Sequence, residues 1–496
     1  MAASLFLSLR HGARLEGRDG EVLELLNGAR LATLKGLYGG TRRALLRLAD
    51  AAAAEGELAD GALADGGPRA LAEFYYYVER LERGGWLVRS ARLDGRALAT
   101  LLPASPSFEF SRPRCAPHDF FTLSRFAYMR PEGGELVMES PLAHGRVVLH
   151  DGAAAAVHSL ARPQTIRTLC ERHAWLPAES VEQLVVLLAA ARIVVTSAED
   201  GTSDEARNAA LRSWEFHDLL FHARSRHGRH DYPSGGTYRL LGVVEHPPAL
   251  KPITAGGAID LHRPDMDRLK LTDAPFALVH EARRSVREYD DRPITAEQLG
   301  EFLYRAARVR EVRRVLKPGA PPPAGTELAC RPYPSAGGLY ELELYVIVSA
   351  CDGLAPGSYY YDPRQHSLLP SPARPSDAEA LLLDASRATS IPRERLQVLF
   401  VVAARFPRVA WKYSSMAYAA TLKNVGVLFQ TMYLVATAMN LAPCAVGAGN
   451  SDAFSRATRT DYYEEPSVGE FLLGSKPSPP EGAAVDARRP QVTETP

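Results

Sequence analysis

The sequence has few cysteines and no CxxC pair: Cys115, Cys170, Cys330, Cys351 and Cys444 lie scattered through 496 residues. That spacing excludes a zinc ribbon or a disulfide framework and fits a reducing compartment. No window approaches about 18 uninterrupted apolar residues, so no transmembrane helix is expected. The apolar run near Met1 is too short for a secretory signal, and a cytoplasmic location is the expectation. Net charge is also lacking, since 58 Lys+Arg balance 58 Asp+Glu. Global charge therefore suggests no nucleic-acid partner. There is no GxGxxG, and hence no sign of a Rossmann-type nicotinamide site. Four histidines, 217, 222, 227 and 230, fall close together, but their spacing puts no pair on one helical face with an acidic partner, as HExxH does. No metal site is expected.

What is present is an ordinary globular composition, 46% hydrophobic and 23% charged. Its length suits about three domains. Residues 1–104 begin with short strands at Phe6–Leu9 and Val22–Leu26. Helical patterns follow at Thr41–Ala54 and Pro68–Arg83, then a Gly-Gly turn into Trp86-Leu87-Val88. A similar order recurs in 119–200. There strands at Phe126–Met129, Glu135–Glu139 and Arg146–Leu149 precede helices at Thr165–His173 and Ser180–Ala191 and a closing strand at Ile193–Val195. Both blocks read as winged-helix-like modules in a degenerate tandem repeat. Neither presents a basic recognition helix, which favours an extended peptide added at a strand edge over DNA. A polar linker follows at 198–212, and the third domain is placed at 213–478, with a connector helix over it after Trp214. The Pro/Gly-rich run Lys317–Gly325 reads as a mobile loop and candidate lid, and the Pro/Glu/Ala-rich tail from Pro477 as disordered.

Three segments of the third domain carry chemistry. The stretch 331–345 has a proline-restricted lead-in, a Pro334-Ser335-Ala336-Gly337-Gly338 turn and a strand ending at Val348. Adjacent glycines before a buried strand mark a place where something approaches the backbone closely. Arg283, Arg284, Ser285 and Arg287 form a compact anion trap, because guanidinium forks match phosphate oxygens and a hydroxyl adds a short hydrogen bond. The third segment is Lys412-Tyr413, followed by a helical pattern from Tyr418 to Met439 with Lys423 as its only ionisable side chain apart from tyrosines. Such a helix is expected to be buried nearly all round. A lysine beside it is a candidate general base with a pKa depressed by desolvation. After the helix come Val446, Gly447 and Gly449.

Together these segments resemble the nitroreductase-like flavoproteins and, within them, the SagB-type azoline dehydrogenases that mature ribosomally made peptides. The resemblance spans about 215–475 and rests on Arg-Arg-Ser-x-Arg-x-Tyr at 283–289, Arg-Pro-Tyr-Pro-Ser-Ala-Gly-Gly-Leu-Tyr at 331–340, Lys-Tyr at 412–413 and the Gly447/Gly449 loop. It implies an α+β fold in which a nitroreductase-like FMN domain, an antiparallel or mixed sheet wrapped by helices, follows two winged-helix-like modules like those of cyanobactin-type oxidases. It also implies FMN, with Arg283, Ser285 and Arg287 on the phosphate and pyrimidine edge. Ser335, Gly337 and Gly338 would lie against the ring, and Val446–Gly449 on its other side. The Lys412-Tyr413 pair matches the catalytic pair, and a homodimer with FMN at the subunit interface is implied. The chain departs from many relatives at Gly426-Val427, where they have Gly-His, and at Gln430-Thr431, where they have Gln-Asn.

The implied reaction is oxidation of azolines in a precursor peptide to thiazoles or oxazoles, with Lys412 as base, Tyr413 assisting and dioxygen reoxidising the flavin. The leader would be held by an N-terminal module and a cyclodehydratase would supply the substrate. Two other readings remain open: an NAD(P)H-dependent nitro or quinone reductase, and a silent flavin-bearing scaffold that tethers the peptide.

Overall fold

The computed structural model describes residues 4–18, 22–27, 29–150, 152–253, 256–315, 325–371 and 373–477. The expected lid at 317–324 and the tail beyond Pro477 lie outside the described residues. The chain divides into two compact units, Met1–Ser234 and Gly235–Pro496.

The first unit opens with β1 (Phe6–Leu9), β2 (Arg14–Arg18), β3 (Val22–Asn27), β4 (Ala29–Leu34), α1 (Gly39–Asp50), β5 (Ala53–Ala54) and α2 (Glu55–Arg83), and continues into β6 (Leu87–Leu93) and β7 (Arg96–Pro103). Helix α2 is broken at Gly67, whose φ of 69° only glycine adopts freely, and Pro68 starts the second half. Strands β2, β3 and β4 make an antiparallel wing whose leucines 15, 23, 25 and 34 pack on Leu45, Leu48 and Phe74. The second half of the unit runs β8 (Phe120–Leu123), β9 (Tyr128–Glu132), β10 (Glu135–Glu139), β11 (Gly145–Leu149), α3 (Ala153–Ser159), α4 (Ile166–Arg172), α5 (Ala178–Ala190) and β12 (Val194–Ser197). Short helices α6 (Asp204–Arg207), α7 (Ala209–Arg212) and α8 (Phe216–Arg224) follow.

The two winged-helix-like halves share one seven-stranded sheet, β5-β1-β6-β7-β11-β10-β9, joined where Leu101 of β7 pairs with Val147 of β11. Helix α5 is buried on nearly every side. Its Gln183 bridges the halves, donating to the Ser4 carbonyl (2.7 Å) and accepting from Arg92 N–H (3.0 Å). Residues 213–234 also fold with this unit, a correction to the expected start of the third domain at 213 and to the connector expected over it. The reason is a buried carboxylate: Glu139 takes ion-pair contact from Arg224 (3.0 Å) and a hydrogen bond from Tyr232 Oη (3.2 Å). His217 instead faces Glu215 and Asp218, and no group of three metal-ligating side chains occurs among the described residues.

The second unit contains β13 (Gly235–Gly236), β14 (Ile259–Asp260), α9 (Met266–Thr272), α10 (Phe276–Ala282), α11 (Ala296–Ala307), β15 (Glu311–Arg314), β16 (Glu327–Cys330) and β17 (Leu342–Val348). Then come β18 (Gly357–Asp362), β19 (Ser367–Pro370), α12 (Pro375–Thr389), β20 (Val398–Ala404), α13 (Phe406–Lys412), β21 (Tyr413–Ser414), α14 (Ala417–Ala438), β22 (Leu441–Val446), α15 (Ser451–Thr458) and β23 (Ser467–Ser475). Its main sheet, β14-β19-β18-β17-β20-β23-β22, is antiparallel throughout. The central β17 and β20 are buried at every residue; β20 reads as an unbroken apolar or β-branched run, and β17 does so apart from Glu343. One face packs on α11 and α14 through Phe302, Leu428 and Met432, the other on α12 and α15 through Leu381 and Phe454.

Helix α14 starts and ends within one residue of the sequence expectation but is not buried all round. Tyr418, Leu422 and Val427 are 43%, 39% and 36% exposed, and Lys423, Gly426 and Gln430 lie on the same open side. Of the departures at Gly426-Val427 and Gln430-Thr431, Val427 is exposed on this uncovered face, while Thr431 is half-buried and bonds the Val427 carbonyl (3.0 Å). Among the described residues no helix is long and apolar enough to cross a membrane.

Candidate functional site

The Pro-Ser-Ala-Gly-Gly segment folds into a single tight turn before β17. Gly337 and Gly338 have φ of 61° and 68°, a left-handed geometry that costs a side-chain-bearing residue steric strain. The turn is closed internally by Gly338 N–H to the Ser335 carbonyl (3.1 Å) and Leu339 N–H to the Ala336 carbonyl (3.3 Å). It is pinned from outside by Asn424 of α14, a residue that sequence reasoning missed. Asn424 Oδ1 accepts from Ala336 N–H (3.1 Å), while its Nδ2 donates to Ser335 Oγ (3.2 Å) and Glu341 Oε1 (2.8 Å). Ser335 Oγ in turn donates to Glu341 Oε2 (3.2 Å) and accepts from Tyr340 N–H (3.1 Å). Glu341 is fully buried, so this closed set of bonds is what makes its burial tolerable. The Ser335 hydroxyl is thus occupied in shaping the turn.

Lys412 and Tyr413 arrive over this turn from α13 and β21. An ideal Cβ built on Gly337 would lie 2.6 Å from Tyr413 Oη and against Lys412 Nζ, so Gly337 is glycine for space as well as for φ. Helix α13 is anchored by Arg408, also unforeseen. This fully buried guanidinium donates to the carbonyls of Leu339 (2.5 Å), Pro247 (2.5 Å) and Glu327 (2.8 Å). Burial lowers the Arg408 pKa to about 10. Burial also lowers the Lys412 pKa, while burial and then the Glu341 carboxylate raise that of Tyr413. Among the described residues no carboxylate pairs with Lys412. Its Nζ lies near two rings instead, 5.2 Å from the centre of Tyr413 and 5.9 Å from that of Tyr238.

The anion-trap segment gathers at the other end of α14 around Tyr433. That phenol bonds Ser285 Oγ (2.7 Å) and accepts from Ala445 N–H (2.8 Å), and the Arg283 guanidinium lies 5.3 Å from its ring centre. Val286 N–H adds a bond to the Pro443 carbonyl (2.8 Å), so 283–287 is held beside the Val446–Gly449 loop. No ion pair engages Arg283, Arg284 or Arg287 among the described residues. Under the loop, Glu470 is buried with Oε1 lacking a hydrogen-bond partner, and burial raises its pKa. Gly449 rests against that carboxyl group, whereas Gly447 faces open space.

The expected site residues therefore fall into two groups. Pro334–Gly338 join Lys412 and Tyr413 at the Asn424 end of α14. Arg283–Arg287 join Val446–Gly449 at the Tyr433 end. Nine residues of helix, about 14 Å of rise, separate the two anchors. Between the anchors, Gly469 of β23, next to the Glu470 beneath Gly449, meets Val425 and Phe429 of α14. Asn424 and Tyr433 were visible as polar side chains in an apolar helix, but only the structure shows which turn each one holds.

An FMN fits these groups on two observations. Three guanidinium groups without counter-ions within five residues suit a phosphate. Gly337 and Gly447 are exposed, Gly447 with nothing within 4 Å of a built Cβ, where a flat ring system needs close approach to backbone.

Three sequence-family matches cover most of the chain: the ThcOx helix-turn-helix domain at 1–112, cyanobactin oxidase ThcOx at 121–231 and the nitroreductase family at 281–469. A protein of Methanocaldococcus jannaschii named as a nitroreductase is 31% identical over 196 residues, which are 39% of this chain and 86% of that one. Among solved structures, one of a nitroreductase-named protein from Anabaena variabilis aligns at TM-score 0.36 and 22% identity, over 51% of this chain and 45% of that chain. The chain thus spans less than half of that protein's length. The Escherichia coli microcin synthetase McbBCD complex with truncated pro-MccB17 bound aligns at TM-score 0.32 and 16% identity, over 51% of this chain and 85% of that one. The chain belongs to the nitroreductase family, with N-terminal modules of the cyanobactin-oxidase type.

Proposed function

We propose that this chain is an FMN-dependent dehydrogenase that oxidises azoline rings in a ribosomally made precursor peptide to thiazoles or oxazoles. The observation that carries this reading is Lys412: a half-buried amine without a carboxylate partner, placed over the Gly337 turn beside a phenol. A lysine so placed holds a free amine at lower pH than usual and can take the acidic proton next to the azoline carbonyl. Tyr413, kept protonated by burial and by Glu341, is suited to hold the amine or relay its proton. Bound FMN would supply the hydride acceptor and, through dioxygen, the route for reoxidation. Arg283, Arg284, Ser285 and Arg287 would hold its phosphate end. Pro334, Ser335, Ala336, Gly337 and Gly338 would form one wall of its ring site, and Val446, Gly447 and Gly449 the other.

The reading includes a homodimer with FMN at the subunit interface, as the resemblance implies. The open apolar face of α14 supports this, as do Leu271 and Phe276 of α9 and α10, which are 88% and 71% exposed. In the first unit, α5 offers no exposed recognition face, and β4 ends the wing without a further strand among the described residues. Both features favour an extended leader peptide over nucleic acid. A cyclodehydratase is then the enzyme that supplies the azoline.

The test is Lys412→Ala assayed on an azoline-bearing peptide with flavin content measured in parallel. Azoline oxidation should fall by about 10²-fold or more while FMN is retained. A variant that oxidises azolines at the parent rate would sink the base assignment. A wild-type protein that reduces nitro compounds with NAD(P)H but leaves azolines untouched would sink the substrate.

A further inference from the structure

Residues 235–248 form a strap across α13 and β21. Strand β13 pairs with β21, Gly235 opposite Ser414 and Gly236 opposite Tyr413, and Thr237 Oγ1 meets Ser414 Oγ at 2.5 Å. Trp411 Nε1 donates to the Val244 carbonyl (2.8 Å), and the His246 ring stands edge-on to Trp411 with centroids 4.5 Å apart. Three residues into the strap, Tyr238 N–H donates to the backbone carbonyl of Lys412 (3.1 Å). Its ring stands edge-on to Trp411, centroids 5.7 Å apart, and its centre lies 5.9 Å from Lys412 Nζ, which is also 5.2 Å from the centre of the Tyr413 ring.

Tyr238 does this at φ 52°, in the left-handed region that a bulky side chain occupies only when its surroundings over-determine it. A glycine would sit there without strain, and the strap already has Gly235 and Gly236 next door. A strained aromatic residue beside an unpaired amine calls for a use of its ring.

We propose that Tyr238 is a positioning residue for Lys412, its ring forming the second wall of a slot in which the amine is held away from water and aimed at the Gly337 turn. The proposal rests on the reading of Lys412 as the base. Two aromatic walls leave the amine few directions, and neither wall can neutralise it as a carboxylate would. Ring faces attract an ammonium ion while exclusion of water disfavours it. The second effect dominates here, since burial alone accounts for the lowered pKa of Lys412. Removing the Tyr238 ring would admit water and return the amine toward ordinary lysine behaviour.

The other groups facing this slot do not supply that behaviour. His246, on the strap, is pushed down to about 4 by burial and then by Arg408, and stays neutral while the lysine titrates. The phenols of Tyr238 and Tyr413 are pushed up by burial. Glu341 acts on Tyr413, raising its pKa, and Arg408 is one turn back on α13, spent on three carbonyls.

The experiment measures Lys412 directly. The chain has seven lysines, so reductive methylation of the full-length protein with ¹³C-formaldehyde gives a countable set of NMR signals, and Lys412→Arg identifies the one wanted. In the parent that signal should titrate below the other six. In Tyr238→Gly, which removes the ring and relieves the positive φ so that folding is not at risk, it should move up by about one pH unit. In Tyr238→Phe it should stay in place. An unmoved signal in Tyr238→Gly overturns the proposal, and so does an equal shift in both variants, which would assign the effect to the hydroxyl. The titration needs no substrate: if it behaves as stated while the parent oxidises no azoline, the reaction is wrong and the slot stands.

Discussion

The two ends of α14 are built on opposite plans. At Asn424 every polar group meets a partner from the same chain: the amide, the Ser335 hydroxyl, both oxygens of buried Glu341 and the Ala336 N–H. At Tyr433 the phenol is satisfied, but the arginines at 283, 284 and 287 have no counter-ion among the described residues, and the buried Glu470 keeps an oxygen without a partner. The first end is complete as the chain folds. The second is complete only in what it offers to something else. Buried polar networks hold their shape when fully satisfied, and unmatched cations mark where an anion belongs. The contrast therefore separates what the fold prebuilds, the Gly337 turn, from what it leaves open to an anionic ligand.

If the Asn424 end is prebuilt, breaking it should cost folding energy. Asn424→Ala removes three bonds and leaves Glu341 and the Ala336 N–H under-partnered in the interior. The expected loss is about 3 kcal/mol, visible in chemical denaturation of flavin-free protein. A loss below about 0.5 kcal/mol would mean that water already serves these groups. The Tyr433 end should respond the other way round. Arg287→Gln removes an exposed, unpaired cation, so flavin-free stability should hold within about 0.5 kcal/mol. The FMN dissociation constant should instead rise about 10-fold or more, the worth of a charge-assisted hydrogen bond. Unchanged FMN affinity would show that the trap binds some other anion.

Much of this arrangement was legible beforehand, and the part that was not has a common cause. Strand β17, helix α11 from Ala296, helix α14 and the glycine turn follow from local rules, because each is set by residues adjacent in sequence. The seam between β7 and β11 is a long-range pairing with no local signature. Nor do residues 213–234 reveal that they fold against Glu139, some 80 residues earlier. Helix α14 misled for a different reason. Its composition is that of a helix covered on all sides, whereas this chain covers only part of it. In the site, the motif residues were readable, but Asn424, Glu341, Arg408 and Tyr238 were not. They act by holding motif residues from other elements, and that relation exists only once the sheet and helices have brought them together.

The smallest expected effect comes from the two glycines of the Val446–Gly449 loop, which look equivalent in sequence. A methyl group on Gly449 overlaps the Glu470 carboxyl group, which is buried and has little room to retreat. Gly449→Ala should therefore lower flavin-free stability by about 1–2 kcal/mol, an overpacking cost. Gly447 has nothing within 4 Å of the position such a methyl would take. Gly447→Ala should leave flavin-free stability unchanged within about 0.5 kcal/mol, and any penalty should appear only when FMN is added. If Gly447→Ala binds FMN as the parent does, the open space beside it belongs to the peptide or the partner protomer rather than to the flavin ring. The Tyr433 end would then be a phosphate site alone. If FMN binding weakens, that space is the wall of the cofactor site, and Gly449 is glycine for a separate reason, the acid beneath it.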